Sequence, residues 1–219
     1  MMKRNTLIVL ALVSTIALAA CSENATGPTE IATFNQTQAV EYDVSLNRRA
    51  PAPGDQTIAE IAEANGFTLL LEAVTYIAEM NPESPLVAGL LDRDQYTVFA
   101  PTDQAFTNLV QAVTPLLDPD VLANDGPFAA IDDLLGAGTI EAVVSYHVTE
   151  GRRASNSVVP RNRFRIIDTL LEGATLEVSP EAVITAVGST ANITAADISA
   201  SNGVIHVIDT VLLPIDLGL

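Results

Sequence analysis

Two hydrophobic periods divide this chain, and their order constrains its fold more than any other feature. Between residues 57 and 145 the apolar side chains recur mostly at three- and four-residue spacing, the period of a helix with one buried face. From about Val158 the pattern changes to short runs separated by Gly, Pro, Asn and Ser clusters: "RFRIIDTLL", "ATLEVS", "AVITAV", "ANITAADI" and "VIHVIDTVLL". Such runs are strands bounded by turns. Helices first and strands after predict an α+β fold with a segregated sheet, because alternating βαβ units would interleave the two periods.

Local signals place the elements. Thr57 and Glu60 form a capping box, in which each side chain satisfies an orphan N–H of the first helical turn. Ile58, Ile61 and Ala62 follow at helical spacing, and Gly66 is a natural stop. A second helix carries Phe67, Leu70, Leu71, Val74, Ile77 and Ala78, and Pro82 and Pro85 block its continuation. In "YTVFAPTDQAF" the period switches: residues 96–100 read as a short buried strand that Pro101 ends. Thr102 or Asp103 then caps a helix with Phe106, Leu109, Val110 and Val113 on one face. Short helical pieces follow around Phe128 to Leu135 and Ile140 to Ser145. Near the C-terminus, Asn202-Gly203 predicts a type I′ hairpin turn, which requires positive φ at both central residues.

The N-terminus reads as an address. Lys3 and Arg4 precede an apolar run from Leu7 to Ala20, and "LAAC" ends at Cys21, the chain's single cysteine. This is the pattern of a signal peptide (1–20). "LAAC" resembles the lipobox of bacterial lipoproteins, so the expectation is a lipid-modified Cys21, a tether over 21–54, a folded domain over 55–214 and a tail over 215–219. The protein is then exported and anchored to a bacterial outer membrane, facing periplasm or exterior. The formal net charge is −17, and removal of Lys3 and Arg4 from ten basic residues leaves eight, all arginine, against 27 acids. Such a surface repels phosphate backbones, which excludes nucleic acid as a partner. With no second cysteine, no internal disulfide is available.

Three segments carry a resemblance in order and spacing: "TVFAPTDQAF" (97–106), "YHV" (146–148) and "NGVIHVIDTVLLP" (202–214). Together they resemble the fasciclin (FAS1) family, the first and last its two signature boxes and the middle one its Tyr-His motif. Thr97, Phe99, Pro101, Thr102, Phe106, Asn202, Gly203, His206 and Asp209 are the matching box positions. The resemblance spans about Asp55 to Pro214 with one copy of each box. It implies a wedge-shaped β-sandwich with helices packed around one edge, and an association with adhesion rather than a shared reaction. In animal members an Asp-Ile pair before the second box and the Tyr-His region are implicated in receptor contact. The matching residues here are Asp197-Ile198 and Tyr146-His147, with Ser199 where the adhesive motifs carry a larger apolar residue.

The remaining candidates are weighed by chemistry. An imidazole at His206, on the strand face it shares with Val204 and Ile208, needs hydrogen-bond partners if it is buried. It is either a neutral structural histidine or a metal ligand or general base. Asp209 falls on the opposite face under strict alternation. His147 continues the apolar face of Ile140, Val143 and Val144. A hydrolase or metal-dependent enzyme would centre on His147 or His206, but no nucleophile motif, phosphate loop or dinucleotide fingerprint accompanies them. The expectation is a non-enzyme without cofactor or metal. Finally, "GRRASNSVVPRNRFR" holds Arg152, Arg153, Arg161, Arg163 and Arg165 in a very acidic chain. It reads either as a solvated hairpin paired with nearby carboxylates or as a patch for acidic polysaccharide or an acidic domain. The function expected from the whole is a monomeric adhesion or interaction module binding matrix, polysaccharide or a partner protein. The alternative is a periplasmic ligand-binding or scaffold lipoprotein, favoured by a deep apolar pocket.

Overall fold

The computed structural model describes residues 53–91 and 94–218. The expected signal peptide, Cys21 and nearly all of the tether lie outside the described residues. Helix α1 (Ile58–Ala64) starts at the capping box: the Thr57 hydroxyl accepts from the Glu60 N–H at 3.2 Å, and the Glu60 carboxylate from the Thr57 N–H at 2.7 Å. After Gly66, at φ +75°, α2 (Thr68–Met80) buries Leu70, Ala73 and Ile77. Pro85 opens α3 (Pro85–Leu91), since the first helical position needs no N–H. Thr102 caps α4 (Asp103–Val113) through the Ala105 N–H at 3.2 Å. Helix α5 (Pro119–Leu135) is broken at Gly126, at φ 85° and ψ 178°, and resumes at Pro127. Helices α6 (Thr139–Tyr146) and α7 (Ser155–Val158) follow.

Among the described residues seven strands, β1 (Tyr96–Pro101), β2 (Val148–Glu150), β3 (Arg165–Asp168), β4 (Thr175–Val178), β5 (Val183–Thr185), β6 (Thr190–Ala200) and β7 (Gly203–Ile208), run in the order β2-β1-β7-β6-β5-β4-β3. Among these strands, only β1 and β7 pair in parallel. Strand β6 joins the two halves: Thr190 to Asn192 pair with β5, and Ile193 to Ala200 with β7, with register shifts on either side of Ala195. A bulge at that place lets one strand serve two sheet directions.

Two apolar cores follow from this topology. Val98 and Ala100 of β1 and Ile205 and Val207 of β7 face the helices, meeting Leu70, Ala73, Phe106 and Phe128. Phe99 and Ile208, on the opposite faces, join Ile167, Leu176, Val178 and Ile184 in a core made among the strands. Every residue of β7 is buried, so this strand has no solvent face and no polar alternation. The architecture is the expected α+β one, a strand core with helices packed on the β1–β7 side.

Two local expectations fail. Ala200 pairs with Gly203, so the turn residues are Ser201 and Asn202, and neither they nor Gly203 has positive φ. The turn is therefore not type I′. Gly203 is required for close approach: a Cβ there would stand 2.1 Å from the Tyr96 carbonyl oxygen. Asn202 is buried, and its side-chain oxygen accepts from the Ile58 N–H at 2.9 Å, tying the turn to the start of α1. The second failure is the 151–165 segment, which is not a hairpin. It leaves β2, forms the short α7 and enters β3.

Candidate functional site

Five of the polar residues singled out by the sequence, Thr97, Arg152, Arg153, Asp197 and His206, meet at one segment, Gly151 to Ser155, which crosses β1, β6 and β7. The Arg152 guanidinium donates to the carbonyls of Ala200 at 2.8 Å and Gly203 at 2.6 Å, and to the Ser199 hydroxyl. Burial lowers its pKa from the ordinary arginine value. The Thr97 hydroxyl accepts from the Arg153 N–H at 2.8 Å and donates to the Gly151 carbonyl at 2.7 Å. The Asp197 carboxylate takes both the N–H and the hydroxyl of Ser155, at 2.7 and 2.6 Å. Asp197 itself sits at φ 62° between bulged positions of β6. Aspartate tolerates that region better than most residues because its short side chain bonds locally. Its neighbour Ile198 is half-buried against the helix-side core.

His206 locks this clasp from beneath. Its Nε2–H donates to the Arg153 carbonyl at 2.9 Å, and its Nδ1 accepts a long 3.4 Å bond from the Asp197 N–H. The ring stacks on Phe99 with centroids 5.7 Å apart. Burial pushes the imidazole below its ordinary pKa, against opposing pulls from the Arg153 carbonyl and the Asp197 charge. Asp209 does not meet His206. Its carboxylate holds the backbone and side-chain N–H groups of Asn192, both at 2.8 Å.

Tyr146 and His147 lie at the end of α6 and are 0% and 2% exposed. The Tyr146 hydroxyl donates to the Thr175 carbonyl at 2.9 Å, and burial raises its pKa. His147 donates from Nδ1–H to the Val143 carbonyl at 2.7 Å and accepts at Nε2 from the Leu212 N–H at 2.8 Å. Desolvation lowers its pKa to about 4, outweighing the Val143 carbonyl, which acts the other way. Each imidazole thus has one donating and one accepting nitrogen already engaged, the arrangement of a neutral structural histidine. Among the described residues no three His, Cys, Asp or Glu side chains are grouped to hold a metal ion.

The arginine run divides. Arg152 caps carbonyls as described, the Arg153 Nε–H donates to the Glu150 carbonyl at 3.2 Å, and Arg165 donates to the Ser157 carbonyl. The bonds seen for Arg153 and Arg165 go to backbone carbonyls, and Arg152 adds the Ser199 hydroxyl and the Gln95 side-chain oxygen to its two carbonyls. Arg161 and Arg163 are exposed. Beside them Phe164 and Ile166 are 64% and 68% exposed, far more than an apolar side chain in a strand with a buried face. Alternation explains it: Arg165 and Ile167 turn inward, leaving Ile166 of the end strand β3 and Phe164 just before it outward, with the exposed Glu177 opposite Ile166. Sequence reasoning missed these two because "RFRII" has apolar residues on both faces of a strand. The alternation of arginine with Phe164 and Ile166 would by itself turn those two inward, the reverse of what the structure shows.

Comparison with known proteins gives a match to the Fasciclin domain family over residues 62–214. Immunogenic protein MPB70 of Mycobacterium bovis is 28% identical over 155 residues, covering 70% of this chain and 67% of that protein. Protein sll1483 of Synechocystis is 29% identical over 170 residues, 76% of this chain and 78% of that one. Human periostin is 31% identical over 125 residues, 57% of this chain but only 13% of that far longer protein. The FAS1 domain pair of the insect cell adhesion molecule fasciclin I aligns over 65% of this chain and 45% of that chain, with a TM-score of 0.42 and 16% identity.

Proposed function

This chain belongs to the fasciclin domain family, and on that premise we propose that it is a non-catalytic interaction module of the cell envelope, exported and held to the membrane through a lipid on Cys21. The surface we assign to binding is the outward face of β3, with Phe164 and Ile166 as apolar anchors and Arg161 and Arg163 as charged ones. The partner is an acidic protein. The observation that carries this reading is the exposure of Phe164 and Ile166 beside two exposed arginines in a chain of net charge −17. Aromatic and arginine side chains dominate binding energy at interfaces, and positive charge in an acidic surround steers an acidic partner to one place. Asp197 with Ile198, and Tyr146 with His147, serve the reading as scaffold: their side chains are engaged in holding the 151–155 segment and the two cores. A hydrolytic role for His147 or His206 is disfavoured, since substrate would first have to displace the bonds that keep each ring in place.

The test is cross-linked capture from envelope or matrix extract by the full chain and by a variant carrying Arg161→Ala, Arg163→Ala, Phe164→Ala and Ile166→Ala. Because all four side chains are exposed, the variant keeps its melting temperature. Capture of a specific acidic protein is expected to fall at least about tenfold, and to weaken for the native chain as salt is raised. Undiminished capture by the variant removes this surface. Retention on an acidic polysaccharide column with no protein captured replaces the partner class.

A further inference from the structure

The helix-side core is not solid. An apolar cavity of 360 Å³ opens among α4, α5, α6 and the segment after β7. Its inner wall includes Ala73 and Phe106, both buried, and its mouth is rimmed by Leu116, Leu134 and Ile215, which are 56%, 41% and 40% exposed. The residues of the proposed β3 surface do not line it. Protein interiors are close-packed, so a void of this size forfeits dispersion contacts along its whole lining unless something fills it. Water is a poor filler for an apolar cavity, which offers it no partners. Volume and apolar lining both match small-molecule sites, which pair an apolar wall with a few placed polar groups.

The polar groups here are few and of one kind. Thr139 and Asp216 line the cavity, and Asp216 is exposed at its mouth. The Asp216 carboxylate already takes the Gly218 N–H at 2.9 Å, and the Thr139 hydroxyl donates its proton to the Gly136 carbonyl at 2.6 Å. What both offer to a ligand is therefore lone pairs. No arginine or lysine is among the lining residues. A head group here must donate hydrogen bonds and must not be an anion.

We propose that this cavity binds one single-chain lipid, its hydrocarbon tail among α4–α6 and its hydroxyl- or ammonium-bearing head at Asp216. The segment 215–217 forms one wall of the site. The apolar path from Ala73 out to the exposed rim residues suits an extended tail, and the carboxylate at the rim rejects a free fatty acid at neutral pH.

Titration of the purified protein with 1-monooleoylglycerol, dodecylammonium and oleate, each below its aggregation concentration, tests this by native mass spectrometry and by shift of melting temperature. One equivalent of monooleoylglycerol or dodecylammonium is expected to bind saturably and raise the melting temperature, while oleate binds at least about tenfold more weakly. Val110→Trp, which fills the cavity, abolishes the binding. Should that variant fail to fold, Ile215→Asp at the exposed rim replaces it and weakens binding at least about tenfold. Asp216→Arg brings oleate up to the affinity of the donor-headed compounds. Absence of saturable binding by either donor-headed compound overturns the proposal. So does binding unaffected by the variants, or oleate binding the native protein as tightly as the others.

Discussion

Acidification from pH 7 to pH 5, followed in the native protein and in His147→Gln, isolates the contribution of one side chain, His147. In the folded protein its imidazole is neutral, with Nδ1–H given to the Val143 carbonyl and Nε2 receiving the Leu212 N–H. Protonation would put a second N–H against that Leu212 donor inside a fully desolvated site, which is why its pKa is lowered to about 4. The unfolded chain binds the proton near the ordinary histidine value of about 6.5. Because the folded pKa is the lower one, the unfolded state gains protons first as pH falls. Stability is full above about pH 7 and declines as pH falls through 6.5 toward 4. Integrating between those two values gives a loss of about 2 kcal/mol from pH 7 to pH 5 and about 3 kcal/mol by pH 4. His206, also lowered by burial, adds a loss of the same sign. The assay is urea unfolding at closely spaced pH values for the native protein and for His147→Gln. The variant is less stable at pH 7, but its decline between pH 7 and pH 5 is expected to be about 2 kcal/mol shallower. Every other group contributes alike in both proteins, so the difference reports the His147 imidazole. Equal slopes, or a folded His147 resonance titrating at or above pH 6, would refute the argument.

Two further outcomes follow from the backbone around the clasp. Gly203→Ala drives a Cβ to 2.1 Å from the Tyr96 carbonyl and should lower stability by about 2–3 kcal/mol, read by urea unfolding; a change under about 0.5 kcal/mol would mean β1 and β7 can separate at little cost. Asp197→Ala loses both bonds to Ser155 and should cost about 1–3 kcal/mol, whereas Asp197→Asn, which tolerates φ 62° and keeps one acceptor, should cost less. The reverse order in thermal melts would show that the bonds to Ser155 contribute nothing.

Elements whose cause is local were legible in the residues. The Thr57–Glu60 box, the Thr102 cap and the change from helical to strand period each depend on neighbours within one turn or one run, and the structure has each where the spacing puts it. Elements whose cause is distant were not. Asn202-Gly203 has the composition of a type I′ turn, yet Asn202 is claimed by the Ile58 N–H, 144 residues away, and Gly203 by the passing Tyr96 carbonyl. Arg152 reads as a solvated charge until the carbonyls of Ala200 and Gly203 come within reach, 48 and 51 residues on.

The amino-acid order alone determined the family, the α+β segregation and the places of α1, α2, β1, α4 and α6, because periodicity, caps and breakers act over a few residues. It also marked Tyr146, His147, Asp197 and His206 as special, without saying how. Only the tertiary structure decided that both histidines have their ring nitrogens bonded within the fold, and that Phe164 and Ile166 face outward while Ile167 faces in. It alone revealed the cavity left among α4–α6. The physical reason is that burial and unfilled volume are properties of what packs against a residue. Those neighbours are brought together by β6 crossing between sheet halves and by β1 lying parallel to β7, contacts with no local signature in the chain.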